Sequence, residues 1–142
     1  MLFRSTRIIK TPKLYFHDTG FVAWLTRWSS GETLEAGAMS GAIFENHVVS
    51  ELNKGLQNSA SRLDMFFYRD RDMKEIDVIW ERDGTLWPIE IKKTATPKRN
   101  TVDTFRLLDK SGMKRGNGVV LCCAAELSAF DSQNLIVPVH LL

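Results

Sequence analysis

This sequence predicts an α/β fold: a mixed central β-sheet flanked by helices. Three observations lead there. The apolar pattern starts with a helical period, turns to alternation over about 65–93, then returns to one helical stretch before two more strand-like runs. The run GVVLCCA at 118–124 is continuously apolar, the pattern of a strand covered on both faces. The length of 142 residues, 44% of them apolar, suffices for one compact domain that buries roughly two-thirds of the surface its unfolded chain exposes.

Residues 1–12 are basic and weakly patterned and read as an N-terminal arm or the remnant of a linker to an absent upstream module, leaving 13–142 as the domain. A first helix is expected over Thr19 to Trp28, after Asp18 and Thr19 as candidate N-caps; Phe21, Val22, Leu25 and Trp28 recur at helical spacing before Ser29, Ser30 and Gly31 break it. A stronger helix runs through GAIFENHVVSELNKGL, with Phe44, Val48, Val49, Leu52 and Leu56 on one stripe and Gly55 near its end. Phe21, Trp24, Trp28 and Phe44 are expected in the core or at a domain interface.

Three short strands follow: MFFYR at 65–69, EIDVIW at 75–80 and TLWPIEIKK at 85–93. Asp83-Gly84 joins the last two as a hairpin signal. NTVDTFRLLDK offers Val102, Phe105 and Leu108 at helical spacing, and LIVPVHLL closes the chain as a strand that Pro138 places near an edge.

Composition narrows the function classes. With 19 Lys+Arg against 17 Asp+Glu the net charge is +2, too small to imply a nucleic-acid partner by itself. No apolar stretch is long enough for a membrane helix, and MLFRSTRIIK lacks the apolar run of a secretory signal, so a soluble cytoplasmic protein is expected. There is no G-x-x-x-x-G-K-[ST] phosphate loop, so ATP hydrolysis is not encoded in this chain. His17, His47 and His140 have no zinc spacing, and the adjacent Cys122 and Cys123 read as buried thiols in a reducing compartment.

The chemistry sits in the hairpin. If Asp83-Gly84 forms a two-residue type I′ turn, Arg82 faces Thr85, and the same count sets Asp77 opposite Glu90 and Glu75 opposite Lys92. Ile76, Val78, Trp80, Trp87, Ile89 and Ile91 then form the apolar face. Two facing carboxylates repel unless a cation, a proton or neighbouring positive groups offset them, and a hard divalent ion is the most economical offset. Lys92, on the face of Glu90, is placed to stabilise charge on a phosphate or to help deprotonate an attacking water. On the second helix Glu45 points into the apolar stripe. It is expected either to bond backbone at the core edge or to act as a further ligand in the same cleft.

The ordered set Glu45, Asp77, then Glu90-Ile91-Lys92 resembles the PD-(D/E)xK nuclease superfamily, which implies a restriction endonuclease-like core. KTPKLYFHDTGFVAWL, GAIFENHVVSEL, FFYRDRDMKEIDVIW and PIEIKKT resemble, in the same order, the C-terminal domain of prokaryotic AAA-type ATP-binding proteins, a domain of unknown function. That resemblance runs from about Lys10 to the C-terminus. It implies that Asp77 and Glu90 hold Mg2+ or Mn2+, that Glu45 completes the acidic cluster, that Lys92 assists hydrolysis, and that full-length relatives carry a P-loop ATPase module upstream. It makes YFHDTG a structural turn that starts the domain. Ile76 departs from the pattern, which has proline before the aspartate.

The expected function is divalent-metal-dependent hydrolysis of DNA phosphodiesters. Basic candidates for DNA contact are Arg69 and Arg71 in the run YRDRDMKE, and Lys93, Lys98 and Arg99 beside Lys92. Those side chains read equally as internally paired or solvated charge. The rival is a catalytically inactive module that keeps the nuclease fold and binds nucleic acid or protein for an associated ATPase. A third reading is a structural or oligomerising domain. The bland alternative for the hairpin is a solvated face on which Lys92 pairs with Glu75.

Overall fold

The computed structural model describes residues 12–59 and 63–142; the expected arm lies outside them except for Pro12. Helix α1 spans Thr19–Leu25, opened by Asp18, whose carboxylate accepts the Gly20 and Phe21 N–H groups at 2.7 and 3.2 Å. It stops three residues short of the expected end and buries nothing. Phe21 and Trp24 stack on each other with centroids 6.2 Å apart, and Trp24 is 73% exposed, so the core role expected of these two does not hold. Two helical turns with few neighbours cannot cover them.

Serine 30 does not simply break the chain. Its hydroxyl accepts the Thr33 N–H while Thr33 Oγ1 accepts the Ser30 N–H, both at 3.2 Å, and this reciprocal cap opens a short helix α2, Gly31–Ala36. Helix α3, Ser40–Asn58, buries Val48, Val49 and Leu52 on the expected stripe.

Strands β1 (Asp64–Arg69), β2 (Glu75–Arg82) and β3 (Thr85–Lys92) form an antiparallel set. Asp83 and Gly84 both take left-handed backbone angles, φ 52° and 75°, as a type I′ turn requires. The β2–β3 register runs from Arg82↔Thr85 to Val78↔Ile89, as the count from that turn expects. A 3-10 helix at Arg99–Ser111 replaces the expected α-helix, with Val102, Phe105 and Leu108 still on its buried side. Then come β4 (Lys114–Arg115), β5 (Gly118–Cys122), β6 (Ser128–Asp131), β7 (Asn134–Pro138) and a closing 3-10 turn, Val139–Leu141.

The seven strands make one mixed sheet in the order β1-β2-β3-β5-β7-β6, with β4 paired to β3. Strand β5 runs parallel to both β3 and β7, which explains its unbroken apolar run. The last strand lies near an edge as expected: β7 is next to last in the sheet, and β6 is the edge itself. Pro138 is tolerated because it ends β7 beyond Ile136, where the β6 ladder begins, so its missing N–H breaks no bond to β6.

Helices cover both faces. On one, α3 sets Val48, Val49 and Leu52 against Val78, Ile89, Ile91 and Leu121. On the other, Val102, Phe105 and Leu108 pack on Ile76, Ile79, Leu86, Val120 and Cys122. Two expectations fail here. Ile76 does not share a face with Val78, for a reason that lies in β2 itself, and of the two thiols only Cys122 is buried while Cys123 is exposed. No helix among the described residues is long and apolar enough to cross a membrane.

Candidate active site

Regular pairing of β2 fails on both sides at Asp77. Towards β1 the register passes from Phe66↔Ile79 to Tyr68↔Ile76, so two residues of β2, Asp77 and Val78, stand against the single Phe67. Such a bulge turns the strand and re-aims its side chains, and it swings Ile76 to the face opposite Val78. Towards β3 the ladder ends at Val78↔Ile89. The next pair would be Asp77 and Glu90. In its place the Ile91 N–H donates to Asp77 Oδ2 at 2.9 Å, so a carboxylate stands where a backbone acceptor would be.

Asp77 and Glu90 are both buried, at 6% and 7% exposure, and Lys92 joins them: its Nζ lies 2.6 Å from Glu90 Oε1 and 3.7 Å from Asp77 Oδ2. The pairing of Lys92 with Glu75 does not occur. Glu90 lies between Ile89 and Ile91, which both pack under α3, so by strand alternation it turns away from that helix. No well-formed hydrogen bond reaches its Oε2.

Burial, reinforced by the neighbouring Asp77 charge, pushes Glu90 from its ordinary 4.5 up to about 7, and burial raises Asp77 as well, partly offset by the Ile91 N–H and by Lys92. Burial works to lower Lys92, but the hydrogen bond and charge of Glu90 outweigh it and hold the side chain protonated, its pKa above the usual lysine range. As an ammonium, Lys92 is placed to donate to negative charge at this site.

A second group of acids lies on the α3 side. Carboxylate oxygens of Glu45, Glu75 and Asp77 fall within 4.8 Å of one another, the spacing of a shared cation. The expected trio was Asp77, Glu90 and Glu45. Glu90 stands apart from the group and Glu75 takes its place. Sequence reading also passed over Lys13, whose Nζ is 2.8 Å from Glu45, 3.5 Å from Asp77 Oδ1 and in contact with Glu75. Burial works against the charge on Lys13, but the hydrogen bonds to Glu45 and Glu75 outweigh it and raise its pKa.

Lys13 reaches the cluster because the segment before α1 is tied along α3. Tyr15 Oη donates to Glu45 at 2.6 Å, Asn46 exchanges two hydrogen bonds with the Phe16 backbone at 2.7 and 2.9 Å, and Ser50 Oγ donates to the His17 carbonyl at 2.8 Å. These contacts explain why polar Asn46 and Ser50 are buried on the apolar side of α3. Those two misplaced polar residues were the signal in the sequence for a docked partner segment.

Residues 40–142 match the family model described as a domain of unknown function, DUF4143. The chain belongs to that family. This DUF4143 chain is also 30% identical, over 88 residues, to the uncharacterized proteins Rv2008c of Mycobacterium tuberculosis and Mb2031c of Mycobacterium bovis. The matched stretch is 62% of this chain and 19% of each relative, so the chain spans about a fifth of their length. Glu45, Glu75, Asp77, Glu90 and Lys92 lie inside the stretch that matches the DUF4143 model; Lys13 lies before it.

The basic candidates of this DUF4143 domain are spread over several elements. Arg69 ends β1 and its guanidinium grips Glu75, with Nε and a terminal nitrogen at 2.7 and 2.6 Å from Oε2. Lys93 donates to the Glu35 carbonyl at 3.1 Å. Arg99 ties the 3-10 helix to β6 through the Phe130 carbonyl and Asp131, at 2.5 and 3.0 Å. Arg71 and Lys98 are exposed.

Proposed function

We propose that this domain is a divalent-metal-dependent DNA phosphodiesterase built on the PD-(D/E)xK plan, with a restriction endonuclease-like core, that works beside an AAA-type ATPase module in longer relatives. The observation that carries the reading is the Asp77–Lys92–Glu90 bridge, two buried carboxylates joined by a half-exposed ammonium, at the point where β2 and β3 lose their ladder. Two carboxyl groups and an ammonium, the types that phosphate chemistry needs, are brought together there, the two acids in spite of their burial.

The residues fit a hard cation. Their donors are all carboxylate oxygens, and Glu90 Oε2 is buried without a well-formed partner. Asp77 and Glu90 would hold the ion, Mg2+ or Mn2+, which when bound lowers the pKa of a coordinated water and neutralises charge on the phosphate. The Ile91 N–H fixes the Asp77 carboxylate. Lys92, kept protonated, supplies an ammonium to the charge that develops on the phosphoryl oxygens. Lys98 and Arg71, both exposed, are candidates for the DNA backbone.

The second reading, a non-catalytic nucleic-acid or protein module that keeps the fold, is favoured by Lys13, which already neutralises part of the acid cluster. Nicking of supercoiled plasmid with Mg2+ or Mn2+ separates the two. Hydrolysis that falls at least ~100-fold in Lys92→Ala supports the enzyme. Duplex binding with a steep salt dependence and no nicking under either metal supports the module.

A further inference from the structure

We propose that Lys13 is the resident cation of the Glu45–Glu75–Asp77 cluster: its ammonium fills a position that a hard divalent ion takes once the side chain is removed. This deepens the metal reading above and rests on it for the identity of the ion.

The placement is built into the fold. The Lys13 ammonium contacts all three carboxylates of the trio. Nor is Lys13 a swinging side chain on a loose end. Tyr15, Phe16 and His17, which come after Lys13 and Leu14, are each bonded to α3, by Glu45, Asn46 and Ser50. The cluster therefore receives its cation from the same segment that closes over α3. Asp77 stands between two positive neighbours, with Oδ1 towards Lys13 and Oδ2 towards Lys92.

Two cation positions follow. At the first, the Lys92 ammonium bridges Asp77 Oδ2 and Glu90 Oε1 and leaves Glu90 Oε2 for an external ion, and the second, at Asp77 Oδ1, Glu45 and Glu75, is filled by Lys13. Three carboxylate oxygens within 4.8 Å of one another and no ammonium among them would make a hard-ion site by the ordinary donor chemistry of Mg2+ and Mn2+.

The test is to count bound Mn2+ by electron paramagnetic resonance in the unaltered chain, in Lys13→Met and in Lys13→Arg, with thermal melts at each ion concentration. Lys13→Met is expected to bind one more Mn2+ per chain than the unaltered protein. Its melting temperature should fall without metal and rise by roughly 8 °C at about a hundred times the dissociation constant. Lys13→Arg keeps the charge and should gain no ion. Should Lys13→Met fail to fold, Lys13→Gln, whose amide still donates to the carboxylates, is expected to show the same gain. Equal ion counts and equal metal-induced shifts in all four proteins overturn the proposal. The count in the unaltered protein reports separately on the metal reading: none bound there, with one gained on removing Lys13, supports the resident ammonium while refuting the Asp77–Glu90 site.

Discussion

The Ile91 backbone N–H donates to the carboxylate of Asp77 at 2.9 Å, just past the last ladder pair of the β2–β3 hairpin. One side chain thereby ends a strand pairing and is itself held in one orientation. A fourteen-residue separation in sequence becomes a fixed contact at the centre of the candidate site.

Replacing that carboxylate separates its two roles. Asp77→Ala leaves the buried Ile91 N–H without an acceptor and is expected to cost about 2 kcal/mol of folding stability. Asp77→Asn keeps an acceptor oxygen and should unfold in urea within about 1 kcal/mol of the unaltered protein while losing metal affinity. Equal destabilisation by both would show that the N–H contact contributes little.

Stability should depend on pH through Glu90. Its pKa is raised on folding from an ordinary 4.5 to about 7, so the stabilising form is the protonated one. Its contribution is fully present below about 4.5 and is lost as pH rises through about 7. Asp77, also raised, acts in the same direction. Glu75 acts oppositely: burial would raise it, but hydrogen bonds from Lys13 and Arg69 lower it on balance, so its contribution is lost as pH falls below the ordinary carboxylate range. Urea unfolding between pH 5 and 8 should show a decline that Glu90→Gln flattens; the same slope in both proteins refutes the assignment.

The hairpin was legible because its determinants are local. Asp83-Gly84 specifies the turn, the turn specifies the register, and counting outward holds as far as Val78↔Ile89. The stripe on α3 was legible for the same reason. The bulge at Asp77 was not, since alternation continues through EIDVIW in the sequence and only the opposing β1 and β3 reveal the extra residue. Lys13 was missed because its partners lie 32 and more residues away, and a basic residue in a charged segment reads as solvated until something is docked beneath it. The strand β6 that forms the edge itself was not legible, because SAFD carries too weak an alternation to read as a strand.

Gly118 offers a check on the core that is independent of the chemistry. A Cβ built there would stand 2.5 Å from the Phe105 ring and 2.7 Å from Asn134 Oδ1. Phe105 is the centre of the cluster beneath the 3-10 helix and is 1% exposed. Gly118→Ala is expected to cost about 1–3 kcal/mol by forcing that ring to move. A thermal melt unchanged from the unaltered protein would mean that the ring has room to yield.

Tyr15 tests the strap over α3. Tyr15→Phe removes only the hydroxyl that donates to Glu45 at 2.6 Å and should cost about 1–2 kcal/mol, with hydrogen exchange at the N–H of Phe16 accelerated accordingly. Unchanged exchange at Phe16 would show that Asn46 and Ser50 hold the segment without the tyrosine hydroxyl.

The most direct test of the central claim is anomalous diffraction from crystals of the unaltered protein soaked in Mn2+. A peak in contact with both Asp77 and Glu90, with the Lys13 ammonium still seated on Glu45 and Glu75, is the expected result. No peak, or one that touches neither Asp77 nor Glu90, contradicts the proposed phosphate chemistry.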